Sequence, residues 1–256
     1  MSPRERISAA IRGVAAGGEP ALVAYLTAGY PRREEFRAHL RAIAAAADVV
    51  EVGVPFTDPM ADGVTIQRAS LAALSQGVSL RWILDELAQL GDVRSPILLM
   101  SYLNPLLAFG AASLATAARR ANVAGFIVPD LPLDESSELQ AALDAQQIAL
   151  VQMVTPVTEA ARLQRLCAGS QGFIYAVTMT GTTGKSVAVP DEVLGYLDRV
   201  RALATVPVCA GFGIRSREQV RRLRGHVDGV VVGSALVEVL ERGEDPAAWL
   251  RALRMD

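Results

Sequence analysis

One pattern repeats along the chain: a short apolar run without helical period, then a longer segment with apolar residues three and four apart. The short runs fall at Ala21–Leu26, Val49–Val54, Ile97–Ser101, Gly125–Val128, Ile148–Val151, Phe173–Val177, Val206–Cys209 and Gly229–Val232. Most are rich in β-branched residues and read as buried strands. Between them, REEFRAHLRAIAAA from Arg33, DESSELQAALDA from Asp134, TEAARLQRLCA from Thr158, PDEVLGYLDRVRAL from Pro190 and SREQVRRLR from Ser216 read as amphipathic helices. Thr158 and Ser216 are expected N-caps, and Pro190 suits a first helical turn. About eight βα units in 256 residues predict an α/β fold, a closed (β/α)8 TIM barrel forming a single domain over residues 1–256. Two additions are expected: a helix before the first strand, and an extra helix after strand 2, where the span from Pro55 to Gly91 exceeds what the rhythm needs.

Composition narrows the class. With 51% apolar and 20% charged residues the chain can bury a large core. A net charge of −2, with no Lys/Arg stripe interleaved with aromatics, argues against nucleic-acid binding. No signal peptide and no membrane span is visible, so a cytoplasmic location is expected. Cys167 and Cys209, one in a helical pattern and one in a strand, read as small core residues, which leaves no disulfide framework or thiolate metal site.

The candidate chemistry starts in the second strand. In EVGVPFTDPMADG, Glu51 sits in a buried apolar run, and an unpaired carboxylate there must find a partner or take up a proton. Pro55 and Pro59 stiffen the following loop and Gly63 permits a tight exit, so Asp62 is presented at a defined place. Two acids in different surroundings can divide acid and base roles. The same residues also suit a plainer reading, with Glu51 meeting an arginine and Asp62 capping the helix VTIQRASLAAL.

In a barrel of this kind, chemistry lies on the loops leaving the C-terminal ends of the strands. Strand 6 is followed by TMTGTTGKS with Gly181 and Gly184, strand 7 by AGFGIRS with Gly211 and Gly213 around Phe212, and strand 8 by Gly233-Ser234 opening a helix. Any one such glycine suits a turn, but three adjacent loops together predict one phosphate site, because glycines admit an anion to the backbone and helix N-termini bind it. Tyr175, in strand 6 just before the first loop, suits either packing or catalysis.

YLTAGYP at Tyr25–Pro31, EVGVPFTDPMADG with TIQRA, ILLMSYLNP at Ile97–Pro105, GFIVPDLP at Gly125–Pro132, TGTTG, AGFGI and VVGSA resemble, in order and spacing, the α subunit of tryptophan synthase over essentially the whole chain. The resemblance implies a barrel enzyme that cleaves indole-3-glycerol phosphate to indole and glyceraldehyde 3-phosphate. It implies no cofactor in this chain: pyridoxal phosphate belongs to the partner β subunit of an αββα heterotetramer. It also assigns the catalytic pair to Glu51 and Asp62 with Tyr175 in support. Phosphate contacts fall to Gly184, Gly213, Gly233 and Ser234, with Gly211 and Phe212 shaping the same rim. Thr183 would hydrogen-bond Asp62 on loop closure. By position, Tyr25, Leu99, Tyr102, Ile127 and Phe212 would line the indole pocket.

Thr182, Met179, Val64 and Thr57 depart from the family pattern on the two loops that close the site, which puts partner activation in doubt. The alternatives are a stand-alone indole-producing lyase and a non-catalytic activating subunit. A Schiff-base aldolase has only Lys185 to offer, after the glycine loop rather than on a strand. A metal-dependent enzyme has only His39 and His226, both in helical or helix-end contexts and expected at the surface.

Overall fold

The computed structural model describes residues 1–91, 93–178, 189–211 and 213–254. Eight parallel strands close into a barrel in sequence order: β1 Ala21–Thr27, β2 Val49–Gly53, β3 Ile97–Met100, β4 Val123–Ile127, β5 Ala149–Val154, β6 Ile174–Val177, β7 Val208–Gly211 and β8 Gly229–Val232. The helices are α1 Pro3–Ala15, α2 Phe36–Ala44, α3 Val64–Ser75, α4 Leu80–Ala88, α5 Leu103–Phe109, α6 Ala111–Arg120, α7 Ser137–Ala145, α8 Ala160–Gly169, α9 Asp191–Leu203, α10 Arg217–Leu223, α11 Ser234–Glu241 and α12 Pro246–Leu253. The expected TIM barrel is observed, with both the N-terminal helix and the surplus helix after β2. Pairs of helices also follow β3 and β8, which the rhythm did not reveal.

The pleat sorts side chains into two layers. Leu22, Leu26, Val50, Val52, Leu99, Phe126 and Val230 face outward and pack with the helices. Val23, Val49, Leu98, Ile127, Val151, Phe173, Cys209 and Val231 fill the barrel. α1 closes the N-terminal mouth: Ile7 and Ile11 are fully buried in the interior cluster, each contributing about 1.5–3 kcal/mol by burial. Its start is fixed by Ser2 and Glu5, which form a capping box ahead of Pro3. With that end plugged, access to the interior lies at the opposite, C-terminal end.

Several local expectations shift. β7 begins at Val208 rather than Val206: Pro207 has no N–H to donate, and only its carbonyl joins the pairing, accepting from the Ile174 N–H at 2.8 Å. Glu159, not Thr158, is the N-cap of α8, because the Thr158 hydroxyl instead accepts from the Thr155 N–H at 3.0 Å. Pro190 sits at the N-cap of α9 rather than inside its first turn. Ser216 caps α10 as expected and forms a capping box with Gln219. His39 and His226 are half-buried rather than exposed. Cys167 and Cys209 are both buried and free.

Candidate active site

The parallel register decides which side chains reach the interior. Tyr25 pairs with Glu51 and Glu51 with Leu98, so all three share the inner face. Glu51 is 1% exposed, and its Oε2 has no hydrogen-bond partner among the described residues. Burial, reinforced by the nearby Asp62 charge, pushes its carboxyl up to about 8. The arginine of the plainer reading is absent from its described surroundings.

Asp62 does not cap α3, whose N-cap is Gly63 with no side-chain bond. Its Oδ2 accepts instead from the Tyr102 hydroxyl at 3.1 Å. Burial raises the Asp62 carboxyl to about 6, and the Tyr102 bond opposes the rise. The loop presenting Asp62 is braced at several points. Tyr102 Oη also accepts from the Ala61 N–H at 2.9 Å, and Phe56 stacks on the Tyr102 ring at 5.3 Å. Gln67 Nε2 donates to the Asp62 carbonyl at 2.9 Å. The loop thus holds the acid in place, as its two prolines suggested.

Around this pair, Tyr25, Glu51, Asp62, Gly63, Ile66, Met100, Tyr175, Gly213, Ile214, Val231, Gly233 and Ser234 line one cavity of about 540 Å³, open mouth included. Two of its tyrosines depend on glycines in the next strand. A Cβ on Gly53 would fall 2.1 Å from the Tyr25 hydroxyl, and one on Gly211 would fall 2.5 Å from the Tyr175 ring. Burial holds both phenols protonated, with the two carboxylates adding to the effect.

At the other end of the cavity, α11 opens at Ser234 with Gly233 as N-cap and no side-chain bond to its first N–H groups, the arrangement that favours an anion. Gly213 lies beside it at φ +86°, a conformation that favours glycine. Its loop is pinned by the buried Gln219, which donates to the Gly213 carbonyl at 3.0 Å and accepts from the Arg215 N–H at 2.7 Å.

The structure therefore brings together Glu51, Asp62, Tyr175, Tyr25, Gly213, Gly233 and Ser234. Gly211 makes room for Tyr175, and Tyr102 stands behind Asp62 rather than in the cavity wall. Leu99 lies elsewhere: it is fully buried in the outer layer, and Met100 takes the wall position. Ile127 belongs to the interior cluster and is not among the cavity's lining residues. Met179, Thr182, Thr183, Gly184, Lys185 and Phe212 lie outside the described residues. Ile66, Met100, Ile214, Val231 and Gln219 were not anticipated. Pleat register would have indicated Met100, whereas Gln219 sits in an arginine-rich helix that resembles a surface segment. Among the described residues, no group of three or more His, Cys, Asp or Glu side chains is placed to hold a metal.

Residues 12–254 match the family model of the tryptophan synthase alpha chain. The chain belongs to the tryptophan synthase alpha chain family. It is 44% identical over 249 residues to the tryptophan synthase alpha chain of Nitratidesulfovibrio vulgaris, covering 96% of this chain and 97% of that one. A solved structure of tryptophan synthase from M. tuberculosis, in an open form, superposes with a TM-score of 0.87 at 33% identity, over 97% of this chain and 96% of that one. Tryptophan synthase subunit alpha from Legionella pneumophila gives 0.86 at 31% identity, over 97% and 96%. The family resemblance read from the motifs is thus established, and the cavity lies where those motifs converge. Among the described residues, no helix is long and apolar enough to cross a membrane.

Proposed function

We propose that the chain cleaves indole-3-glycerol phosphate into indole and glyceraldehyde 3-phosphate by acid/base catalysis with Glu51 and Asp62. The supporting observation is the pair of neighbouring acids whose surroundings push their pKa values apart, to about 8 and about 6. Near pH 7 Glu51 is protonated and Asp62 ionised, which divides the roles.

Glu51 donates its proton to indole C3, and the ring nitrogen becomes positive. Asp62 accepts a hydrogen bond from the ring N–H and stabilises that charge in a site shielded from water. The Glu51 carboxylate then takes the proton of the side-chain hydroxyl as the carbon–carbon bond breaks. The bonding pair returns to the ring, the former hydroxyl carbon becomes the aldehyde, and Glu51 is protonated again. Tyr175 and Tyr25 wall the reacting atoms. The Gly213 loop and the α11 N-terminus bind the phosphate, so that binding remote from the reacting bond helps orient it. These steps use no cofactor of this chain.

We further propose that a β subunit carrying pyridoxal phosphate docks on the C-terminal face to form an αββα assembly. Met60, Val64, Leu107 and Val157 are apolar and strongly exposed, and all lie on segments leaving β2, β3 and β5 at the cavity end, as a partner surface would require. Steady-state indole release by the purified chain, alone and with a tryptophan synthase β subunit, tests both statements. Slow release that rises at least tenfold with the partner is expected. Fast release that the partner leaves unchanged would identify a stand-alone lyase, and no release in either case would refute the reading.

A further inference from the structure

The phosphate end of the cavity is assembled from three separate segments: the Gly213 loop after β7, the N-terminus of α11 after β8, and the start of α3, which follows Asp62. One side chain outside the cavity joins all three. Glu238 stands on α11, one turn in from Ser234. Its Oε2 accepts from Arg215 Nη1 at 2.8 Å and its Oε1 from Arg215 Nη2 at 2.9 Å, a bidentate pair of the strong, orientation-fixing kind. Arg215 lies two residues beyond Gly213. The same Oε1 accepts from the Thr65 hydroxyl at 3.2 Å, three residues beyond Asp62.

The next acid along the helix is a natural control. Glu241 accepts from Arg68 Nη2 at 2.7 Å, Arg68 Nε at 3.0 Å and the Tyr30 hydroxyl at 2.5 Å. It therefore ties α11 to α3 and to the loop after β1, without touching the Gly213 loop. On the same two helices, Ile66, Ala69 and Val237 belong to one apolar cluster. Glu238 and Glu241 are alike in element, charge and partner type, and they differ in whether they hold the Gly213 loop.

We propose that Glu238 is a positioning residue for phosphate recognition: through Arg215 and Thr65 it holds the Gly213 loop and the Asp62-bearing segment in register with the α11 N-terminus. This rests on the phosphate reading of Gly213, Gly233 and Ser234. Its action is on the placement of N–H groups, so its loss weakens the grip on the phosphate while leaving the Glu51–Asp62 chemistry in place once substrate is saturating. The Arg215 guanidinium holds the Glu238 carboxyl below the usual range, so the clamp stays charged wherever the enzyme works.

The test compares wild type, Glu238→Ala, Glu238→Gln and Glu241→Gln. Calorimetry measures binding of glycerol 3-phosphate and, separately, of indole, and steady-state assays give KM and kcat. For Glu238→Ala we expect about a tenfold weaker affinity for glycerol 3-phosphate and a matching rise in KM, equivalent to about 1.4 kcal/mol. Indole affinity should be unchanged and kcat should lie within about threefold of wild type. Glu238→Gln, which keeps one acceptor oxygen, should fall between the two and carries the test if the alanine variant does not fold. Glu241→Gln should bind glycerol 3-phosphate like wild type. Unchanged glycerol 3-phosphate affinity in folded Glu238 variants would overturn the proposal, as would equal weakening in Glu241→Gln or parallel loss of indole affinity. A wild-type chain that binds indole but no glycerol 3-phosphate would instead overturn the phosphate reading itself, and the proposal with it.

Discussion

Glu51 is costly to the fold, and replacing it with glutamine should show by how much. Its carboxyl rises from 4.5 to about 8 in the folded chain. The folded state therefore binds a proton that the unfolded state releases between those values, and stability falls as pH rises across the window. Each pKa unit corresponds to about 1.36 kcal/mol, so the full cost above pH 8 is roughly 5 kcal/mol. Relaxation and water entry reduce it, leaving an expected penalty of at least about 2 kcal/mol. Glutamine has nearly the same shape and no charge to bury. Glu51→Gln and wild type should therefore differ by a constant offset near pH 4.5, with the variant gaining steadily until about pH 8. In thermal unfolding at a series of pH values the gap in Tm should widen by on the order of 5–15 °C. The burial cost of Asp62 itself is common to both proteins and cancels, whereas its repulsion of an ionised Glu51 is part of the difference. A gap that stays flat between pH 5 and 9 would refute the reasoning, because it would mean that Glu51 ionises in the fold as readily as in water.

Other consequences follow from particular contacts. The free-enzyme pH profile of kcat/KM should be a bell with limbs near 6 and 8, since Asp62 must be ionised and Glu51 protonated; activity still rising above pH 9 would rule out the need for a protonated Glu51. Tyr102→Phe removes the donor that lowers the Asp62 pKa, so the acid limb should move to higher pH and kcat should fall about tenfold, whereas an unmoved limb would make Tyr102 a packing residue only. Gly53→Ala must displace the Tyr25 ring and should cost roughly 1–3 kcal/mol in denaturant titrations, with a larger KM; a neutral result would show that the ring has room to yield. Gln219→Ala leaves the Gly213 carbonyl and the Arg215 N–H without their partner and should raise KM more than it lowers kcat.

How far the residues alone reveal this molecule depends on which physical rule each feature obeys. The barrel was legible because strand and helix periods differ, and α3 was legible as surplus length. Glu51 stood out because an acid in a β-branched run must be accounted for, and Asp62 because prolines and glycine frame it. The choice of Leu99 over Met100 failed for want of register: only the pairing of Glu51 with Leu98 shows which residues of β3 face inward. Tyr102, expected in the pocket wall, stands behind Asp62 instead, where its hydroxyl bridges Ala61 and Asp62 across about forty residues of chain. Glu238 carries no local signal, and Gln219 signals only the capping box it forms with Ser216, not its hold on the Gly213 loop. On a helix a glutamine or glutamate reads as solvated surface, and only the folded loops show what each one holds.

The central claim is that Glu51 moves the protons of carbon–carbon cleavage while Asp62 stabilises the charged ring. Indole release from indole-3-glycerol phosphate by wild type, Glu51→Gln and Asp62→Asn, each first shown to fold and to bind glycerol 3-phosphate, tests it most directly. Turnover should fall by about 10²–10⁴-fold in each variant, as expected for losing a positioned acid/base or a charge-stabilising group, with glycerol 3-phosphate affinity retained. Near wild-type turnover in either one would contradict the role assigned to that residue.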